Sequence, residues 1–221
     1  MMIQATTCGG AAPGPAGDPP AQSIARRDSN VLQWMEDGHH PTKESDLTVE
    51  QSALVAKIRD IPDFPVRGIM FRDITTLLKD AEAFHECLDK MANRLRPYQP
   101  TKIVGVESRG FIFGAPLAYL LDAGFVPARK LGKLPAPTVT AEYALEYGTN
   151  TVEMHRDAID VGERVVIVDD LLATGGTTRA TIQLVEHLGG QVVALGFLIE
   201  LTFLHAREQL GKYNVVTLIQ Y

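Results

Sequence analysis

The sequence is poor in cysteine and has no long apolar run. Only Cys8 and Cys87 occur among 221 residues, too few for a disulfide framework or a cysteine metal site. No segment approaches the roughly 18 uninterrupted apolar residues of a membrane helix. The first residues also lack the basic region and apolar core of a secretory signal. These absences favour a cytoplasmic protein that does not associate with membranes.

Long basic runs are also missing. The formal net charge is −6, and 22% of the residues are charged while 45% are hydrophobic. Because nucleic acids are bound through clusters of Lys and Arg, the composition argues against a nucleic-acid partner. A small anionic ligand remains compatible with the composition, since it needs only a local positive pocket.

Residues 1–46 differ in composition from the rest of the chain. Residues 9–20 are almost all Gly, Ala and Pro, and the rest of the segment is polar. Such a segment cannot bury enough apolar surface to offset its ordering entropy. We therefore expect a disordered extension over residues 1–46 and one folded domain over residues 47–221.

Strand-like and helix-like segments alternate through the domain. The spacing of Phe84, Leu88, Met91 and Leu95 predicts a helix over residues 80–95. Further helices are predicted over residues 111–121 and 176–188, and strands over residues 103–106, 125–128, 164–168, 191–198 and 215–220. This alternation predicts an α/β fold, a parallel sheet with helices on both faces that binds ligands at the carboxyl ends of its strands. Residues 130–151, which contain Gly and Pro and show little periodicity, are predicted to form a long lid or binding loop.

The strongest motif is Val-Val-Ile-Val-Asp-Asp-Leu-Leu-Ala-Thr-Gly-Gly-Thr-Thr, over residues 165–178. A buried strand leads into two carboxylates and a Gly-rich turn that opens a helix. The helix amides and threonine hydroxyls suit a phosphate, and the acids suit ribose hydroxyls. The motif is neither a Walker loop nor a dinucleotide fingerprint. The alternative is a structural turn in which Asp170 or Thr174 caps the helix.

Two basic motifs follow other predicted strands. Arg109 comes after the strand over residues 103–106 and can bind a pyrophosphate through its fork of donors. Arg129, Lys130 and Lys133 place three cations within five residues, where pyrophosphate with Mg²⁺ is a suitable ligand. The alternatives are a surface arginine beside a Ser108 cap and a solvated basic face.

The motif over residues 165–178 resembles the signature of the type I phosphoribosyltransferases. The resemblance implies a Rossmann-like parallel sheet with a small hood region and a long flexible catalytic loop. It also implies that Asp169 and Asp170 contact the ribose hydroxyls of 5-phosphoribosyl-1-pyrophosphate (PRPP). The 5′-phosphate of PRPP would be bound by Ala173, Thr174, Gly175, Gly176 and Thr177. Its pyrophosphate would be bound by Ser108, Arg109, Arg129, Lys130 and Lys133.

Residues 62–74 and 141–148 resemble the adenine phosphoribosyltransferases in particular. This resemblance implies that Phe71 and Leu201 flank adenine while the Arg72 backbone reads its edge. Glu146 would act as a general base and Tyr147 would help to seat the closed loop. Without the resemblance, Phe71 and Leu201 could equally be core residues and Glu146 a solvated glutamate.

The expected reaction converts adenine and PRPP to AMP and pyrophosphate, with Glu146, Arg109, Asp169 and Asp170 as catalytic residues. Mg²⁺ would be carried by PRPP, with water-mediated contact to an aspartate and no direct protein ligand. The resemblance also implies a homodimer. Two alternatives remain open: a phosphoribosyltransferase for hypoxanthine, guanine or xanthine, and a non-catalytic regulator that senses PRPP and binds DNA.

Overall fold

The computed structural model describes residues 53–65, 67, 69–144 and 149–221, all within one unit that spans Thr48–Tyr221. The predicted extension over residues 1–46 lies outside the described residues, as do Glu146 and Tyr147. Two short strands pair as an antiparallel hairpin: β1 (Arg59–Ile61) and β2 (Phe71–Asp73).

Seven further strands form a single sheet. They are β3 (Lys102–Val106), β4 (Gly124–Lys130), β5 (Thr138–Ala144), β6 (Thr149–His155), β7 (Arg164–Leu172), β8 (Gln191–Glu200) and β9 (Val215–Gln220). Their order is β5-β6-β4-β3-β7-β8-β9. The strands β4, β3, β7, β8 and β9 are parallel, whereas β5 and β6 run antiparallel to their neighbours. The prediction of a parallel sheet in an α/β fold is confirmed.

Side chains of β7 alternate between two hydrophobic cores. Val166 and Val168 pack into one core, whereas Val165 and Ile167 pack into the other. All four are fully buried, because a central parallel strand has both faces covered. The central position of β7 in the sheet therefore explains the unbroken apolar run that predicted this strand.

Five α-helices are described from end to end: α1 (Thr75–Leu78), α2 (Ala81–Leu95), α3 (Gly110–Leu120), α4 (Gly176–His187) and α5 (Ala206–Gln209). The predicted helix over residues 80–95 is confirmed as α2. Asp80 caps it, since its carboxylate accepts a hydrogen bond from the Ala83 amide at 3.1 Å. None of the described helices is long and apolar enough to cross a membrane.

The prediction of a loop over residues 130–151 was wrong for residues 138–144 and 149–151, which lie in strands. The strands β5 and β6 form an antiparallel hairpin, with Val139 opposite Met154 and Ala141 opposite Val152. Val139 and Ala141 pack against the second core, so the segment alternates as a half-buried strand should. The Gly and Pro residues of the segment obscure this alternation in the sequence.

The predicted end of β7 at Val168 was also wrong. The strand runs to Leu172, because Asp169 and Leu171 still pair with Phe197 and Ile199 of β8. The two aspartates therefore belong to the last residues of the strand, which the parallel ladder holds in place.

Candidate active site

Residues from four strands and the segments that follow them meet at one edge of the sheet. Because β3, β4, β7 and β8 are parallel neighbours, the residues at their carboxyl ends lie along the same edge. These residues include Arg109 after β3, Arg129 in β4, Asp170 in β7 and Leu201 after β8. The sequence predicted all four positions as parts of one site.

Arg109 and the acid pair form the centre of this edge. Arg109 Nε lies 2.8 Å from Asp170 Oδ2, and the Asp170 side chain is nearly inaccessible to solvent. The Asp169 carboxylate accepts a hydrogen bond from the Asp170 amide at 2.9 Å. Desolvation, reinforced by the neighbouring charge of Asp170, raises the pKa of Asp169 well above its usual value. The site thus contains one ion-paired carboxylate and one that resists ionisation.

The start of α4 presents its first backbone amides without a side-chain cap. Gly175 is the N-cap residue, and no side chain makes a capping hydrogen bond there. This finding excludes the alternative in which Asp170 or Thr174 caps the helix. Gly175 has a φ of +80°, a left-handed conformation that favours glycine. Uncapped amides at a helix start form a binding site for an anion.

Gly110 allows α3 to approach β7 closely. A Cβ at this position would lie 2.7 Å from the Val168 carbonyl oxygen and 3.0 Å from Asp169 Oδ1. Both distances are shorter than ordinary van der Waals contact. The residue after Arg109 therefore has to be small if Arg109 is to reach Asp170.

The hairpin β1–β2 supplies the other side of the site. The Arg109 guanidinium carbon lies 5.7 Å from the centre of the Phe71 ring. Phe71 also packs edge-on against Phe64, with ring centres 5.1 Å apart. Arg109 thus contacts both the acid pair and the aromatic residue that the resemblance links to the base. Leu201 is partly buried and packs against the first core.

The basic cluster is supported by two glutamates that the sequence analysis gave no role. Arg129 donates from Nε and Nη2 to the Glu107 carboxylate at 3.2 and 3.1 Å, and the Lys130 amide donates to the same group. The hydrogen bond from Arg129 is the main reason that the pKa of Glu107 is lowered. Arg129 also donates to the Lys133 carbonyl at 3.2 Å.

Glu153 supports the same loop from β6. Its carboxylate accepts hydrogen bonds from the amides of Lys133 and Leu134 at 2.7 and 2.9 Å. Burial opposes its ionisation, but these amide hydrogen bonds lower its pKa overall. No sequence signal marked Glu153, because a charged residue in a strand is ordinarily exposed. The side chains of Lys130 and Lys133 are exposed.

The described residues offer no protein cage for a metal. Within them, no group of three or more His, Cys, Asp or Glu side chains is arranged to hold an ion. Two adjacent carboxylates, Asp169 and Asp170, lie beside Arg109. Carboxylate oxygens suit Mg²⁺ that is held mainly by substrate phosphates.

Comparison with known proteins identifies the family. Residues 74–218 match the model of the phosphoribosyl transferase domain. An adenine phosphoribosyltransferase of Acetivibrio thermocellus is 59% identical over 169 residues, which cover 76% of this chain and 99% of the relative. The crystal structure of the Thermoanaerobacter pseudethanolicus adenine phosphoribosyltransferase superposes with a TM-score of 0.76 at 54% identity, covering 77% and 99% of the two chains.

A yeast structure was solved with a ligand and the base together. The Saccharomyces cerevisiae adenine phosphoribosyltransferase, in complex with an imino-altritol bisphosphate and adenine, is 38% identical with a TM-score of 0.74. The match covers 77% of this chain and 99% of the yeast chain. The chain therefore belongs to the adenine phosphoribosyltransferase family.

Proposed function

We propose that the carboxyl edge of the sheet is where this enzyme transfers 5-phosphoribose from PRPP to adenine, giving AMP and pyrophosphate. The observation that carries the proposal is the position of Arg109, which lies between the Asp170 carboxylate and the Phe71 ring. A ribose and a base that react with each other must bind next to each other, so the site needs groups for the ribose and groups for the base on either side of the reacting atoms. Arg109 contacts a group on each side: Asp170, proposed for the ribose, and Phe71, proposed for the base.

The ribose 5-phosphate would bind at the start of α4. The amides of Ala173, Thr174, Gly175, Gly176 and Thr177 would surround the phosphate, supported by the absence of a side-chain cap there. Asp169 and Asp170 would accept hydrogen bonds from the ribose hydroxyls. Burial raises the pKa of Asp169 in the free protein, and hydroxyl donors or a nearby cation would favour its charged form when PRPP binds.

The pyrophosphate would bind beside Ser108 and Arg109, with Arg129, Lys130 and Lys133 around it. PRPP would carry Mg²⁺, and Asp169 or Asp170 would contact the ion through water. Bound Mg²⁺ would offset charge on the departing pyrophosphate. Arg109 would stabilise the same charge from the protein side, a contribution worth about 3–4 kcal/mol for a single well-placed donor.

Adenine would lie between Phe71 and Leu201, with the Arg72 backbone at its edge. Backbone donors and acceptors can separate adenine from 6-oxopurines, because the two reverse donor and acceptor at position 6. Glu146, which lies outside the described residues, would take the N9 proton as adenine attacks the anomeric carbon. Tyr147, also outside them, would help to seat the loop that keeps water from the reactive ribose.

The enzyme is further proposed to work as a cytoplasmic homodimer. Exposed apolar side chains support the homodimer: Tyr119 is 85% exposed, and Ile112 is exposed seven residues earlier on the same face of α3. Phe125 of β4 is also exposed. Exposed apolar side chains that lie together on one helix face are typical of an interaction surface.

The site assignment is tested with the double variant Asp169→Asn and Asp170→Asn. AMP formation from adenine, PRPP and Mg²⁺ is measured, with guanine, hypoxanthine and xanthine as competing substrates. The matched control changes two exposed aspartates, Asp157→Asn and Asp160→Asn. Loss of most turnover in the first variant alone is expected, whereas near-normal AMP formation by that variant would overturn the site. If the wild-type enzyme converts a 6-oxopurine and not adenine, the proposed base contacts are overturned.

A further inference from the structure

Tyr221 joins two segments on opposite sides of the proposed base pocket. It follows β9, which lies beside β8 at the edge of the sheet. The Tyr221 amide donates to the Glu200 carbonyl at 3.0 Å. Its main-chain oxygen accepts hydrogen bonds from the Thr202 amide at 2.9 Å and the Thr202 hydroxyl at 2.7 Å. The backbone of Tyr221 therefore fixes the residues on both sides of Leu201.

The ring of Tyr221 holds the opposite segment. The Arg72 guanidinium carbon lies 3.8 Å from the centre of this ring, within the range of a cation–π interaction. The same guanidinium forms an ion pair with Asp60, which is the partner of Arg72 in the β1–β2 hairpin. The Arg72 side chain is thus engaged on two sides, and the strand that carries Phe71 is held with it.

We propose that Tyr221 is a positioning residue that sets the separation between the Phe71–Arg72 wall and the Leu201 wall of the adenine pocket. This inference rests on the proposed function, which assigns Phe71, Arg72 and Leu201 to the base. Hydrogen bonds from a backbone edge depend steeply on distance and angle. A shift of Arg72 relative to Leu201 would therefore weaken adenine binding and lower the selectivity for adenine over a 6-oxopurine.

Two substitutions separate the ring from its hydroxyl. Tyr221→Leu removes the π face and leaves the main-chain hydrogen bonds, whereas Tyr221→Phe keeps the π face. We expect Tyr221→Leu to raise the KM for adenine at least about fivefold and to lower the ratio of kcat/KM for adenine over hypoxanthine. The KM for PRPP should stay within about twofold, and Tyr221→Phe should behave as the wild type.

Tyr213→Leu is the matched control for a general loss of stability. Tyr213 is also partly buried and near the end of the chain, but it packs against the second core rather than the first. We expect this variant to lower the melting temperature without changing the KM for adenine. If Tyr221→Leu does not fold, Arg72→Met removes the cation from the ring while keeping the backbone, and the same rise in the KM for adenine is expected.

Phe71→Ala distinguishes the two ways in which the proposal can fail. If Phe71→Ala leaves the KM for adenine unchanged, the proposed base pocket is wrong and the inference falls with it. If Phe71→Ala raises that KM while Tyr221→Leu and Arg72→Met do not, the pocket stands and Tyr221 has no positioning role. An equal rise in the KM for adenine and for PRPP would also overturn the inference, because it would indicate general distortion.

Discussion

Arg109 Nε lies 2.8 Å from Asp170 Oδ2, and the aspartate is almost wholly buried. The contact links a residue before α3 to one at the end of β7, and it leaves Asp170 with a charged partner. Removing the guanidinium would leave a buried carboxylate uncompensated, which is costly. It would also remove a donor from the proposed pyrophosphate site.

Arg109→Gln should therefore lower kcat about 100- to 1000-fold, the usual cost of losing one preorganised donor to developing charge. Arg109→Lys keeps the charge without the planar fork and should retain more activity. Steady-state AMP formation measures both. The control is Arg156→Gln, which removes an exposed arginine that bonds only the Thr138 carbonyl in the described contacts. Equal losses in Arg109→Gln and Arg156→Gln would contradict the role of Arg109.

Glu107→Gln should raise the KM for PRPP about tenfold with little change in the KM for adenine. Arg129 donates one hydrogen bond to each oxygen of the Glu107 carboxylate, and a glutamine has only one oxygen, so one of these bonds is lost. A hydrogen bond to a charged group contributes about 1.5–3 kcal/mol. Glu163→Gln is the control. Glu163 is about as exposed as Glu107 and also forms an ion pair, with Lys102 at 3.3 Å. This pair lies at the amino end of β3, away from the proposed site. An unchanged KM for PRPP in Glu107→Gln would show that Arg129 needs no support.

Tyr119→Glu should weaken the proposed homodimer at least about thirtyfold, because a central aromatic residue of an interface commonly contributes 2 kcal/mol or more. Sedimentation velocity over a concentration series measures the change. Val161→Glu is the control, since Val161 is equally exposed but lies between β6 and β7. A monomeric wild type, or a Tyr119→Glu variant that dimerises normally, would exclude this face.

Local sequence patterns predicted the elements of the fold better than the contacts between them. The periodicity of α2 and the apolar run of β7 are properties of neighbouring residues, and the structure reproduces them. The placement of Arg109 and Asp170 on one edge also followed, since carboxyl ends of parallel strands meet.

The pairing of side chains could not be predicted in this way. Arg129 with Glu107 and Arg72 with Tyr221 join residues that are distant in sequence, so no spacing rule connects them. The β5–β6 hairpin was missed because half-buried alternation is a weak signal among Gly and Pro. Glu153 was missed because its partners are backbone amides of a loop whose path depends on that hairpin.

Gly110→Ala should destabilise the fold and impair turnover together. The added methyl group would meet the Val168 carbonyl oxygen at 2.7 Å, and backbone cannot move aside as a flexible side chain can. Overpacking of this kind costs about 1–3 kcal/mol. Urea denaturation measures the stability. Gly211→Ala is the control, since its nearest atom would be the Glu208 carbonyl oxygen at 3.6 Å. Equal stability of the two variants would contradict close packing of α3 on β7.

Asp169→Asn should stabilise the protein near neutral pH while lowering activity. The pKa of Asp169 is raised in the folded state, mainly by desolvation and then by the charge of Asp170. The folded state therefore holds this proton more tightly than the unfolded state, and the wild type loses stability as pH rises from the ordinary carboxyl pKa of 3.8 through the raised value. An asparagine has no such penalty and can still accept from the Asp170 amide.

The difference in unfolding free energy between Asp169→Asn and the wild type should thus be small near pH 4 and should grow towards pH 8. Urea denaturation across this range measures it, with Asp157→Asn as a control on an exposed carboxylate. A difference that is constant with pH, or that shrinks as pH rises, would contradict the raised pKa. A gain in stability together with a loss of AMP formation would identify Asp169 as a residue kept for catalysis at the expense of the fold.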